Sequence, residues 1–298
     1  MPDSLVVLAV DVGGTKMAAG LVDGDGAILA EAHVPTPQGD DPEAVFGSLS
    51  AAIDRVLDPD RPSPVVCGVG CGGPMTRGGA TVSPLNIPGW RDFPLRSRLE
   101  TRVQLPTAVD NDAKALALGE GWRGAAVGLD NYLAMVVSTG VGGGIVLDGR
   151  LLDGADGNAG HIGHVIVEPD GRRCACGAIG CLEAEASGQS IAAITGRPSS
   201  EASDEVRKRT GTLVGRAVAT VANLLDLELA VVAGSVALGF GRPFFTAAQD
   251  EMDARCQLTF SRGTRIVPAG LGADGPLVGA AAVGRRAVLG LTGSPASG

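Results

Sequence analysis

The chain has 298 residues, 45% of them apolar, with 46 glycines and a formal charge of −9. That length holds two ordinary domains or one large core, and the composition is that of a turn-rich α/β chain, not a disordered or fibrous one. The acidic balance excludes a nucleic-acid surface, which needs a basic patch that no segment supplies, and no apolar run is long enough to cross a bilayer.

Leu5–Val10 is a short apolar run rich in β-branched residues and reads as a buried strand. Asp11 stops it, and without a basic stretch ahead of it the run is not a signal peptide. Asp11-Val12-Gly13-Gly14-Thr15-Lys16 leads into a second apolar run, Met17–Val22, so the pattern is a hairpin. It lacks the GxxxxGK[ST] spacing of a P-loop. A plain hairpin turn accounts for Gly13 and Gly14. The same turn is also equipped to hold phosphate oxygens through its backbone N–H groups, Thr15 and Lys16, with Asp11 left for a magnesium ion or its water shell.

Ala27–Val34 is a third strand, and the spacing of Val45, Leu49, Ile53, Val56 and Leu57 predicts a helix from Pro42 to Leu57. Val65–Val69 is a strand that runs into Gly70-Cys71-Gly72-Gly73-Pro74, where a ligand can approach the backbone closely. Ser83–Trp90, which contains Asn86, is irregular. Three strands, a helix, a strand and a loop follow the order of half a ribonuclease H-like ATPase domain. Leu105–Val109 is the next strand and hands over to a helix through Asp110-Asn111-Asp112. Asp110 or Asn111 can serve as N-cap. One cap needs one such residue, so three in a row leave side chains for other work, at the end of a helix where the dipole favours a carboxylate.

Tyr132–Val137 is a strand ending in Ser138-Thr139-Gly140-Val141-Gly142-Gly143-Gly144, followed by Ile145–Leu147. Strand, glycine turn with Thr, strand is the pattern already met at Leu5–Val22, and we read it as an internal duplication with two phosphate-holding hairpins facing across a cleft. Between Gly160 and Glu183 lie His164, Cys174, Cys176 and Cys181. Three cysteines within eight residues favour a metal over free buried thiols. Cys₃His is a closed tetrahedral zinc set that stabilises the local fold. The remaining Cys67, Cys71 and Cys256 form an odd set, which together with metal thiolates points to a reducing cytosol. Ala186–Ile194 and Asp204–Leu225 are predicted helices. Leu229–Val232 is a strand leading through Ala233-Gly234-Ser235 into a helix near Phe240–Met252. That turn suits a nucleotide base or ribose, and a simple βα turn explains it equally well. Ile266–Val267, a loop at Leu271–Gly275, a closing helix at Leu277–Leu289 and a loose tail from Thr292 to Gly298 complete the chain.

With these segments assembled, the chain resembles the ROK family of bacterial sugar kinases and regulators from Asp11 to about Gly284. The resemblance is carried by Asp11–Lys16, Asp110–Asp112 with Gly119-Glu120, Ser138–Gly144 and the His164–Cys181 loop ending in Leu182-Glu183. It implies an α/β, actin-like ATPase fold of the ribonuclease H-like type, with two α/β domains around a cleft. The expected domains are residues 1–112, joined by a C-terminal helix at about 277–291, and residues 113–276 with the zinc loop at 164–181.

The resemblance further implies an ATP- and Mg²⁺-dependent kinase that phosphorylates the 6-hydroxyl of a hexose, with Zn²⁺ in a structural role. Asp112 would be the general base. Gly72, Gly73, Asn86, Asn111, His161, His164 and Glu183 would contact the sugar. The nucleotide would fall to Asp11, Gly13, Gly14, Thr15, Lys16, Ser138, Thr139, Gly140, Gly142, Gly143, Gly234 and Ser235. A metal-bound imidazole offers its second nitrogen as a fixed N–H donor, so zinc is expected to shape the sugar pocket without entering the chemistry.

One departure matters. The family's usual Gly-Glu-Ile-Gly-His is Gly160-His161-Ile162-Gly163-His164 in this chain. A carboxylate accepts twice, whereas a neutral imidazole offers one donor and one acceptor. Bacterial N-acetylmannosamine kinases are similar to this chain at that point, and a glucokinase reading is supported by the rest about equally. Family repressors carry a helix-turn-helix ahead of the phosphate motif. Ten residues precede Asp11 here and the charge is acidic, so DNA binding is not expected. A non-catalytic sugar-binding regulator is the alternative, disfavoured by Asp112 and the two hairpins. The expected protein is cytoplasmic, free of membrane and nucleic acid, and a homodimer or homotetramer.

Overall fold

The computed structural model describes residues 5–290, so the expected tail at Thr292–Gly298 lies outside the described residues. In chain order the elements begin with β1 (Val7–Val12), β2 (Lys16–Val22), β3 (Ile28–Pro35), α1 (Pro42–Val56) and β4 (Val66–Cys71). Then come α2 (Leu95–Val103), β5 (Thr107–Asn111), α3 (Asp112–Arg123), β6 (Tyr132–Val137), β7 (Val141–Leu147) and β8 (Arg150–Leu151). The rest are α4 (Leu182–Ala186), α5 (Gly188–Thr195), α6 (Asp204–Leu225), β9 (Leu229–Ala233), α7 (Ser235–Phe240), α8 (Arg242–Arg255), β10 (Arg265–Pro268) and α9 (Gly275–Val288). Among the described residues no helix is long and apolar enough to cross a membrane.

The chain divides into two compact units. Of the described residues, the first runs up to Arg123 and takes back Gly154–Gly157 and residues 271–290; the second holds Gly124–Asp153 and Asn158–Gly270. The sequence placed the change of domain at Asp112. The helix α3 instead stays with the first unit because Gly119 lets it lie against α9, where an added Cβ would come 3.0 Å from the Gly279 Cα.

The first sheet has the order β3-β2-β1-β4-β5. The pairs β3–β2 and β2–β1 are antiparallel, while β1–β4 and β4–β5 are parallel. Its central strand is covered on both faces, which is why it reads as an unbroken apolar run and not as an alternation. Leu8, Val10 and Val12 join a core with Leu49 and Ile53 of α1, whereas Val7 and Ala9 join one with Leu277, Ala280 and Ala281 of α9. Gly68 of β4 allows α9 to touch the sheet backbone: a Cβ there would lie 2.1 Å from the Ala280 carbonyl oxygen.

The second sheet has the order β10-β9-β6-β7-β8. From β8 inward its pairs are antiparallel, antiparallel, parallel and parallel, the same order and polarity as from β3 across the first sheet. Its core includes Leu133, Met135 and Val137 of β6, Val214 and Val218 of α6, and Phe244 and Met252 of α8.

Several boundaries differ from expectation. Gly142–Gly144 lie inside β7, because the ladder from Val137↔Val141 to Tyr132↔Val146 continues through them; the turn shrinks to Ser138–Gly140. The helix expected at Ala186–Ile194 is two, α4 and α5, broken at Ser187, whose hydroxyl caps α5 by accepting from the Ser190 N–H. Gly241, at φ 58°, likewise separates α7 from α8. The helix α2 has no predicted counterpart.

Candidate functional site

In the first unit Asp11 sits near the carboxyl end of β1, in register with Ala18 of β2 and Gly70 of β4. The following turn closes by a Gly13 N–H to Lys16 carbonyl bond of 3.2 Å. Thr36, which the sequence reading did not single out, braces it by donating from its hydroxyl to the Gly13 carbonyl at 2.6 Å. The side chains of Thr15 and Lys16 are exposed. Asn86 lies against Gly14, where an added Cβ would meet the Asn86 Cβ at 2.4 Å.

The parallel pairing of β4 with β5 brings Asp112 to the same place. A Cβ on Gly70 would lie 3.7 Å from the Asp112 Cα and 3.8 Å from the Asp11 Oδ1. Two carboxylates therefore flank one glycine. Burial pushes the Asp11 carboxyl up to about 7, Asp112 adding to the rise and Lys16 opposing it. Cys71, beside both, is held well above the usual thiol range by burial and then by the two aspartates.

At the β5–α3 junction the Ala113 N–H donates to Asn111 Oδ1 at 3.0 Å and Asp112 Oδ1 at 2.8 Å. Asp110 faces elsewhere. Its Oδ1 accepts from the Asn111 N–H at 2.8 Å and lies 3.2 Å from the ammonium of buried Lys114, which also donates to the Gly157 carbonyl at 3.2 Å. Gly73 lies beside Asn111, its would-be Cβ 3.6 Å from the amide nitrogen, and Gly72 precedes it at the end of β4.

In the second unit Ser138, Thr139 and Gly140 form the β6–β7 turn, and the Ser138 and Ser235 hydroxyls meet at 2.9 Å. Gly234 makes that meeting possible. Its φ is 99° and a Cβ would stand 2.3 Å from the Val137 carbonyl oxygen, so no other residue fits. Gly142 and Gly143 belong to β7. The Gly160–Gly163 segment lies flush on that strand: a Cβ on Gly160 would meet the Gly143 carbonyl at 2.4 Å, and one on Gly163 the Val141 carbonyl at 2.3 Å. His161 and His164 project from it, both exposed, with their rings near parallel and 6.2 Å apart. His161 Nδ1 is 2.9 Å from the Asn158 carbonyl oxygen, which assigns the proton to Nδ1 and leaves Nε2 as an acceptor in the neutral ring.

The ligand atoms of His164, Cys174, Cys176 and Cys181 all lie within 4.8 Å of one another. The Cys176–Cys181 sulfurs are 3.7 Å apart, and Cys174 Sγ is 3.7 Å from His164 Nδ1. The edges of a tetrahedral zinc site are about 3.8 Å for S···S and about 3.6 Å for S···N. Burial pushes the Cys181 thiol up to about 12, and a bound cation favours its thiolate. The four residues thus fit zinc, with His164 binding through Nδ1 and Nε2–H left as a donor.

Cys181 is also the residue at the start of α4, which carries Glu183 and Glu185. Glu183 Oε2 accepts from the Val141 N–H at 2.9 Å. Glu185, 1% exposed, accepts from the Arg172 N–H at 2.6 Å and from the Arg172 and Arg209 guanidiniums at 2.8 and 2.7 Å. That arrangement straps the cysteine loop to α6. Sequence reasoning did not find it, since the only local signal was a glutamate two residues after another.

A family model described as "ROK family" matches residues 7–287. The chain is 36% identical over 254 residues to an N-acetylmannosamine kinase from Escherichia fergusonii, covering 80% of this chain and 85% of that one. Among solved structures, a ROK hexokinase from Thermus thermophilus superposes with a TM-score of 0.82 at 32% identity, covering 96% of this chain and 100% of that chain. A ROK glucokinase from Streptomyces griseus, in complex with glucose and AMPPNP, gives 0.80 at 32% identity, with 94% and 99% covered. The actin-like α/β fold is that of these neighbours.

Proposed function

The chain belongs to the ROK family, and on that footing we propose that it transfers the γ-phosphoryl group of ATP to the 6-hydroxyl of a hexose. The observation that carries this reading is the pair of carboxylates around Gly70. Phosphoryl transfer needs positioning, charge neutralisation and a base for the nucleophile, with little covalent help. Asp112 is assigned as the base that takes the hydroxyl proton. Asp11 is assigned to Mg²⁺ or its water shell, and its proton leaves when the cation binds.

The Gly13–Lys16 turn and the Ser138–Gly140 turn are assigned to phosphate oxygens through backbone N–H groups and the hydroxyls of Thr15 and Thr139. Gly234 and Ser235 are assigned to the nucleoside. Gly72, Gly73, Asn86 and Asn111 in the first unit, and His161, His164 and Glu183 in the second, are assigned to the sugar. Zinc supplies rigidity to the loop when bound. His164, held through Nδ1, then offers a fixed Nε2–H donor.

The two imidazoles favour one class of hexose. His164 offers a donor and His161, with Nδ1 committed to Asn158, offers an acceptor. An acylamino group presents the complementary pair, a carbonyl that accepts and an N–H that donates. An N-acylhexosamine is thus the class we favour, N-acylmannosamine first within it on the likeness to an N-acetylmannosamine kinase, with glucose the second reading, supported by the likeness to the glucose-bound glucokinase.

An ADP-release assay across glucose, mannose, N-acetylmannosamine and N-acetylglucosamine tests both levels. Turnover with any hexose supports the kinase, and the preferred sugar decides the class. Asp112→Asn should lower kcat by about 10²–10⁴-fold while sugar binding, followed by calorimetry, persists. Undiminished turnover in that variant would remove Asp112 from the role of base.

A further inference from the structure

The four residues that fit zinc come in two halves. His164 and Cys181 form one: Cys181 pairs with Ile166 in an antiparallel bridge, and the Leu182 N–H donates to the Val165 carbonyl at 2.9 Å. Cys174 and Cys176 form the other, on a hairpin closed by its own backbone. Gly180 N–H donates to the Arg172 carbonyl at 2.8 Å, Cys174 N–H to that of Ala178 at 2.8 Å and Gly177 N–H to that of Cys174 at 2.9 Å. Each half keeps its shape through the main chain, and the separation between them needs a further tie.

Glu185 supplies it. The residue stands on α4 four positions after Cys181. Its Oε1 accepts from the N–H of Arg172, the root of the hairpin, at 2.6 Å, and its Oε2 from the Arg172 guanidinium at 2.8 Å. Gly171 leaves room for the contact, since a Cβ there would lie 2.6 Å from Oε1. Arg209 of α6 fixes the carboxylate from a third side, donating to Oε2 at 2.7 Å and to the Glu185 carbonyl at 3.2 Å. The Arg172 and Arg209 side chains are about half exposed while the carboxylate between them is buried. Taking a carboxylate out of water costs more than pairs with half-exposed partners return, so stability alone does not account for it.

We propose, on the zinc assignment made above, that Glu185 is a positioning residue for the metal. It holds the Cys174–Cys176 hairpin at the separation from His164 and Cys181 that a tetrahedral ion requires, so the four ligands stand in place before the ion binds. A site that adopts its binding-competent form only part of the time loses apparent affinity in proportion. Cutting the Glu185 tie therefore weakens zinc binding without touching a ligand.

The test is competition for zinc between the full chain and a chromogenic chelator, for the wild type, Glu185→Gln, Glu185→Asp and Arg172→Ala, with the urea midpoint of each zinc-free protein measured beside it. Glu185→Gln keeps the shape and loses the charge that grips both arginines. Glu185→Asp keeps the charge and falls one methylene short of Arg172. Both should lower the apparent zinc affinity about 10–100-fold. In zinc-free protein the Arg172 amide should exchange slowly in the wild type and fast in these two variants. Arg172→Ala removes a half-exposed guanidinium and leaves the N–H bond to Glu185, so it should weaken zinc binding less; it carries the test if the Glu185 variants do not fold. Wild-type zinc affinity in every variant that folds, whether or not the urea midpoint drops, would overturn the positioning role and leave the zinc site standing. Weakening confined to Glu185→Gln would mark an effect of charge and overturn it as well. A wild type that binds no zinc would remove the zinc assignment and the positioning role together.

Discussion

Asp11 shows how one residue ties pH to stability and to cation binding. Its folded-state value is raised from 3.8 to about 7, chiefly by burial. An acid raised on folding stabilises the folded chain below its unfolded value, and that contribution is lost as pH rises through the folded one. Without magnesium, the wild type should therefore lose stability relative to Asp11→Asn between about pH 4 and pH 7, with no further divergence above. Urea midpoints of the two proteins across that range measure it, and parallel curves would contradict the assignment. Magnesium affinity should rise over the same interval. The presence of Asp11 was legible from its place between a strand and two glycines. Its pairing with Asp112 around Gly70 was not, because it depends on β4 lying between β1 and β5. The same limit hid the buried Glu185, whose partners Arg172 and Arg209 stand 13 and 24 residues away.

At the scale of elements, small residues set the distances. The helix α9 lies on β4 because Gly68 leaves room for the Ala280 carbonyl and the Gly284 backbone, 2.1 and 2.5 Å from a would-be Cβ. Gly68→Ala should cost about 1–3 kcal/mol through overpacking, read as a lower urea midpoint, and an unchanged midpoint would mean that α9 does not sit there. The cysteine loop makes a second case. One zinc per chain should co-purify, and stripping it with a strong chelator should lower the melting temperature by several degrees; a metal-free preparation of unchanged stability would refute the site. That loop was legible because its ligands are close in sequence. The helix α2 was not, since only Leu95 and Leu99 are buried on an otherwise polar segment. The helix α6 was legible to the residue from its amphipathic pattern, and the structure adds Ser203 as its cap.

At the scale of the molecule, the two sheets repeat one plan, and the pair of glycine hairpins in the sequence already carried that duplication. The division of the chain was harder to read because the first unit is not continuous: it recovers Gly154–Gly157 and the described residues 271–290. One consequence concerns synthesis. Val7 and Ala9 leave the ribosome long before Leu277, Ala280 and Ala281, the surface that covers them. The second unit is thus complete before the first can close, and until α9 is made one face of β1 waits uncovered, an apolar strip that nascent-chain chaperones are suited to shield.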